Sequence, residues 1–152
     1  MLLLFAVLLT AAHADQLCLN NITATLDIVQ LSATQALAAT KSCQYEHPQC
    51  VPHIQQCSGT YGQSMTQVSI AIDACSADPN EGVCVPALFS ILDRGSAILT
   101  NLGNAYHECQ SNATKALCNA DIANATLLIR NAADSISAAL LVCNSSLYSL
   151  HR

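Results

Sequence analysis

The residues best equipped for chemistry are nine cysteines, and the densest cluster of them is Cys43-x3-His47-x2-Cys50-x2-His53-x3-Cys57. Thiols and imidazoles at such spacing could surround a tetrahedral metal ion with sulfur and nitrogen. His53 also stands one helical turn before Cys57, where an imidazole could lower a thiol pKa and make a nucleophile. Two features weaken both readings. Pro48 and Pro52 restrict how the segment could fold over an ion, and an oxidising compartment would pair the cysteines instead. No glycine-rich phosphate loop, nucleophile elbow or zinc-protease helix occurs, and no acid, base and nucleophile set is discernible. The expectation is a chain without catalytic residues, metal or cofactor, with His47 and His53 as exposed polar side chains.

The compartment follows from the amino terminus. Leu2 to Leu9 form an unbroken apolar run, followed by Ala12-His13-Ala14 before Asp15. This is the pattern of a secretory signal peptide over residues 1–14, with 15–152 as a single secreted domain. Later segments are interrupted every few residues by Asn, Gln, Ser or Thr, so no membrane span is expected after the leader. Four sequons agree with secretion: Asn21-Ile22-Thr23, Asn112-Ala113-Thr114, Asn124-Ala125-Thr126 and Asn144-Ser145-Ser146. Asn124 lies about 130° from the face defined below and Asn21 about 70°, which places Asn124 further into solvent.

The cysteine spacing also prescribes the fold. Cys18 to Cys43, Cys50 to Cys75, Cys84 to Cys109 and Cys118 to Cys143 are all 25-residue intervals. On an α-helix such an interval makes nearly seven turns and spans about 38 Å, so both cysteines point from one face. Stepping alternately four and three residues from each first cysteine traces an uncharged heptad seam. In the last interval it reads Cys118, Ile122, Ala125, Ile129, Ala132, Ile136, Ala139, Cys143. The fourth residue after the first cysteine is Ile22, Ile54, Leu88 or Ile122, and the twenty-first is Ala39, Ala71, Ala105 or Ala139. Cys-Val-Pro opens both the second and third intervals. These coincidences mark an internal repeat of one helix and one loop, with proline placed in the first helical turn where its missing N–H costs nothing.

Short loops make neighbouring helices antiparallel. The prediction is therefore an all-α, up-down-up-down four-helix bundle with helices near 18–43, 50–75, 84–109 and 118–143. Its layers alternate large and small residues, as in Ile22, Ala71, Leu88, Ala139 and in Ala39, Ile54, Ala105, Ile122. Cysteines gather at the two ends: Cys18, Cys75, Cys84, Cys143, and Cys43, Cys50, Cys109, Cys118. Two pairings fit. One staples Cys18 to Cys75, Cys43 to Cys50, Cys84 to Cys143 and Cys109 to Cys118. The other runs around the ring, with Cys75 to Cys84 and Cys18 to Cys143 at one end. Cys57 is left over, too far along its helix from either end layer to join it, and is expected to be a buried, unpaired thiol beside Ala36, Leu102 and Ala125, the alternatives being an exchange of partners with Cys50 or a bond between chains. Tyr61 and Ser64 at mid-seam either line a cavity or pack, and the small layer Val29, Ser64, Gly95, Ala132 favours close helix approach over a roomy pocket.

Function is less legible. With Lys+Arg at 5, Asp+Glu at 10 and 10% charged residues, against about 25% in typical proteins, the chain has no basic patch for nucleic acid. Its helix surfaces are Gln, Asn, Ser, Thr and Ala, faces that glycans or other protein copies would have to cover. The first expectation is a secreted, N-glycosylated structural protein that self-associates or joins an extracellular protein or matrix. The alternative is a secreted binding module, either a receptor ligand or a carrier of a small apolar molecule.

Overall fold

Four helices follow the four intervals. In a computed structural model the backbone is described for residues 2–44, 48–77, 82–109 and 115–150, and side chains for 16–44, 48–76, 82–109 and 116–143. The helices are α1 (Leu2–Ser42), α2 (Cys50–Ala77), α3 (Cys84–Glu108) and α4 (Lys115–Leu150), with no strand among the described residues. They form an antiparallel bundle in which α1 packs most closely on α4 and α2 on α3.

Two helices are longer than the intervals that announced them. α1 continues from Cys18 back to Leu2, and α4 starts one turn before Cys118 and runs past Cys143 to Leu150. Neither extension contains Gly or Pro, and both are rich in Leu and Ala or Ser, so nothing local stops the helix. The other ends are punctuated. Pro52 and Pro86 sit in the first turns of α2 and α3. Gly82 takes φ +69° just before α3, a left-handed conformation that only glycine adopts at little cost. Within the helices, Thr25, Thr34, Thr66, Thr100 and Thr126 donate their hydroxyl protons to the carbonyl four residues earlier, so each hydroxyl is satisfied within its own helix.

Every seam position is buried except Gly95, which is half-buried, and Ala87 is the one buried residue off the seam among those described. The large side chains divide into two core clusters. One centres on Ile22, Val68, Leu88 and Ile136, the other on Ile54, Leu102, Ile122 and Ile129. Between them lie the buried hydroxyls of Thr25, Ser32 and Ser64. The mid-layer void beside Val29, Ser64, Gly95 and Ala132 measures only about 10 Å³, so no roomy pocket lies there, and a Cβ on Gly95 would meet nothing within 4 Å.

The premise that every later segment is too interrupted by polar residues to reach the apolarity of a membrane span does not hold for α4. By length and composition α4 from Ala116 to Cys143 is sufficient to cross a bilayer, because its Leu, Ile, Val and Ala outweigh the polar residues between them. Within the bundle its seam is buried and its two cysteines bond to α1.

Candidate functional site

The two sulfur layers are the most concentrated chemistry in the molecule. At one end the sulfurs of Cys43, Cys50, Cys109 and Cys118 all lie within 4.8 Å of one another, and at the other those of Cys18, Cys84 and Cys143 do the same. Each layer holds two disulfides. Cys18–Cys143 and Cys43–Cys118 join α1 to α4, whereas Cys75–Cys84 and Cys50–Cys109 join α2 to α3. The pairing at the first-named end of the ring scheme is thus the one observed, and no bond follows the alternative that joined α1 to α2 and α3 to α4. Cα separations of 4.8 to 5.2 Å draw each bonded pair together, which accounts for the closer packing of α1 on α4 and of α2 on α3.

The metal-like spacing around Cys50 dissolves in this arrangement. Cys43 and Cys50 are bonded to different partners, so neither supplies a thiolate. His47 lies outside the described residues. His53 was expected on the surface but is half-buried, and its Nδ1 is shielded without a hydrogen-bond partner. The reason is angular: three residues after Cys50, it stands only about 60° from the seam.

Cys57 is unpaired and fully buried, with its Sγ 3.6 Å from the carbonyl oxygen of His53. Burial pushes the thiol up to about 11, against a smaller opposing effect of the backbone hydrogen bond. It is therefore a neutral core group at physiological pH rather than a nucleophile. One turn further along α2, the buried Tyr61 hydroxyl meets Ser32 Oγ of α1 at 2.6 Å, and Ser32 also bonds to the Ala125 carbonyl of α4 at 2.8 Å. Burial raises the Tyr61 phenol well above its usual range. The Ser32 hydrogen bond opposes that rise, and the neighbouring Cys57 adds to it.

Tyr61 also borders a surface groove between α1 and α2. The groove encloses about 510 Å³ and is walled by Ala33, Ala36 and Leu37 of α1 and by Ile54, Gly62 and Met65 of α2, with Thr34, Thr40 and Ser58 supplying hydroxyls. Seam arithmetic did not reveal it because it lies on the flanks, where small residues face each other across the unstapled α1/α2 boundary. A Cβ built on Gly62 would meet nothing within 4 Å.

Of the sequon residues, Asn124 is exposed. Asn21 is half-buried and its side-chain amide donates to the Leu17 carbonyl at 3.0 Å. Asn112 and the side chain of Asn144 lie outside the described residues. The outer surface also carries apolar residues in the open. Leu31, Leu37, Leu117, Leu127 and Leu141 are 57 to 76% exposed, all on α1 or α4. No known protein family, curated protein or solved structure matches the chain.

Proposed function

We propose that this is a secreted, N-glycosylated, non-catalytic protein that works by association, with copies of itself or with other extracellular proteins, as a disulfide-hardened helical module. The observation that carries this reading is the set of exposed leucines on the doubly stapled α1·α4 pair. A solitary soluble protein would normally place charge there, whereas this chain has 10% charged residues in all. Four buried disulfides in the helix layers support an oxidising destination. Size-exclusion chromatography with light scattering on protein secreted from a eukaryotic host tests the reading. Concentration-dependent oligomers that weaken in Leu127→Glu or Leu141→Glu support self-association, and a monomer at every concentration would overturn it and leave a different protein as the partner.

The α1/α2 groove favours a second reading, binding of a small apolar molecule carrying one or two polar groups. Its volume falls within the usual range for small-molecule sites, about 300–1,000 Å³. Saturable quenching or enhancement of a fatty-acid fluorophore, abolished by Gly62→Leu, would establish this function in place of the first.

A further inference from the structure

Among its described side chains α1 carries two charges, Asp27 and Lys41. Each stands two residues before a seam residue, Val29 or Cys43, and so points about 160° away from it, directly out of the bundle. Both are exposed, and neither has a hydrogen bond or ion pair among the described residues. They are opposite in sign and lie on one outward line, yet are about 21 Å apart along the helix, too far to answer each other. Other charges have company within the chain. Arg94 donates to Gln63, Asp121 accepts from Ser42, and Arg130 and Asp134 stand one turn apart on α4.

We propose that two copies of this chain pair through α1, antiparallel about a two-fold axis at Thr34, with Asp27 of each copy facing Lys41 of the other. This rests on the self-association reading and names its surface and geometry. Thr34 lies midway between the two charges on the same line, so one rotation aligns both pairs at once, as an isologous contact requires. Ser42, bonded to Asp121, marks the α4 flank of that line, and Leu37, beside the groove, marks the α2 flank. On the α4 flank the rotation sets Leu31 against Ala38 of the other copy, large against small as in the core layers. On the α2 flank it sets Leu37 against Gln30. Leu31 and Leu37, 57% and 62% exposed in the single chain, are thereby covered. A shallow hollow of about 410 Å³ bordered by Asp27, Gln30, Leu31 and Thr34 receives the incoming lysine, with its stem along Leu31 and its ammonium at the Asp27 carboxylate.

The charges select the occupant and its direction. A hydrocarbon could cover Leu31 and Leu37 but would leave both charges without partners, and a polyanion drawn to Lys41 would be repelled at Asp27. A parallel pair of copies sets Asp27 against Asp27 and Lys41 against Lys41, and an antiparallel pair slipped by one heptad sets Asp27 against Thr34. Only the register centred on Thr34 answers both charges. One helix face per copy is a small contact, in the class of weak interfaces below about 1,200 Å², so the dimer forms reversibly. Leu127 of α4 lies outside it and serves any larger assembly.

Sedimentation equilibrium of the full secreted protein, from micromolar to millimolar concentration, tests the contact. A monomer–dimer equilibrium that weakens with added salt is expected. Asp27→Lys and Lys41→Asp should each weaken the dimer by roughly tenfold, because each turns two attractive pairs into repulsive ones. Mixed in equal amounts, the two variants should associate about as tightly as the wild type, since each supplies the charge the other lacks. The double variant Asp27→Lys/Lys41→Asp should recover the wild-type constant as well, which separates loss of the contact from loss of the fold. A dimer indifferent to the single variants, or single variants that neither mixing nor the double substitution rescues, would overturn the α1 contact. If such a dimer weakens in Leu127→Glu, self-association stands and runs through α4 instead. A monomer at every concentration overturns the contact and self-association together.

Discussion

Ser32 and Tyr61 join the two stapled pairs hydroxyl to hydroxyl at 2.6 Å, and Ser32 alone of the two has a further partner, the Ala125 carbonyl. The asymmetry fixes the order of two substitutions. Tyr61→Phe removes one hydrogen bond and leaves Ser32 satisfied, costing about 1 kcal/mol. Ser32→Ala orphans the buried phenol and costs about 1–3 kcal/mol. Urea unfolding of each variant and of the double variant checks this. Tyr61→Phe should recover part of the loss in Ser32→Ala, and equal, additive losses would show that the pair does not interact.

Alkaline pH should loosen the core through the same neighbourhood. The folded-state pKa of Cys57 is raised to about 11 from an ordinary value of 9.0. A thiol so shifted stabilises the fold fully below pH 9.0, and that contribution is lost as pH rises through about 11. Tyr61, shifted in the same direction, extends the decline to higher pH. Denaturation midpoints measured from pH 8 upward should therefore fall for the wild type and fall less steeply for Cys57→Ala. Parallel curves would remove the thiol from the account.

Cys57 should resist alkylation in the native protein and take one equivalent of reagent after denaturation without reductant, read by intact mass. Immediate labelling of the native protein would contradict its burial.

The four staples should not be equivalent. Removing a disulfide costs roughly 2–4 kcal/mol, less for shorter loops. Cys75–Cys84 closes a sequence separation of 9, and Cys50–Cys109 one of 59. Replacing Cys75 and Cys84 together by Ser should lower the thermal midpoint less than replacing Cys50 and Cys109, as followed by circular dichroism. In the wild type, a large downward shift on adding dithiothreitol is expected, because the Ala-rich seam buries modest apolar area.

Peptide mapping after glycosidase treatment should find a glycan on Asn124, which is exposed, and none on Asn21, whose amide is engaged with Leu17. Full occupancy of Asn21 with a bare Asn124 would reverse the outward face assigned to both helices.

The inside of this bundle was legible in the sequence, and the boundaries between its helices were not. A repeated 25-residue interval specifies which face of each helix turns inward, so the sequence alone assigns Ile22, Leu88 and Ala139 to one layer. Gly95 departs because it has no side chain to bury, and Ala87 was missed because it sits at the edge of the stripe. The pairing of Cys43 with Cys118 rather than Cys50 was beyond such reasoning. In a layer where all four sulfurs lie within 4.8 Å, spacing is the same for either choice, and the outcome depends on which neighbouring helix approaches more closely. The groove beside Leu37 and Met65 was hidden for a related reason. It lies along the α1/α2 boundary among small residues such as Ala33 and Gly62, and heptad positions carry no record of how far apart two neighbouring helices stand.

The outermost bond has a mechanical meaning. Cys18 and Cys143 are 125 residues apart in sequence yet joined covalently at the end of the bundle from which α1 and α4 extend. A pull applied between the two ends of the chain is transmitted through that single bond, and the residues between the two cysteines bear no tension. Anchored by its ends in an extracellular network, the protein would act as an inextensible link rather than a spring. Between Cys18 and Cys143 its helices would stay folded under loads that unravel an unstapled bundle.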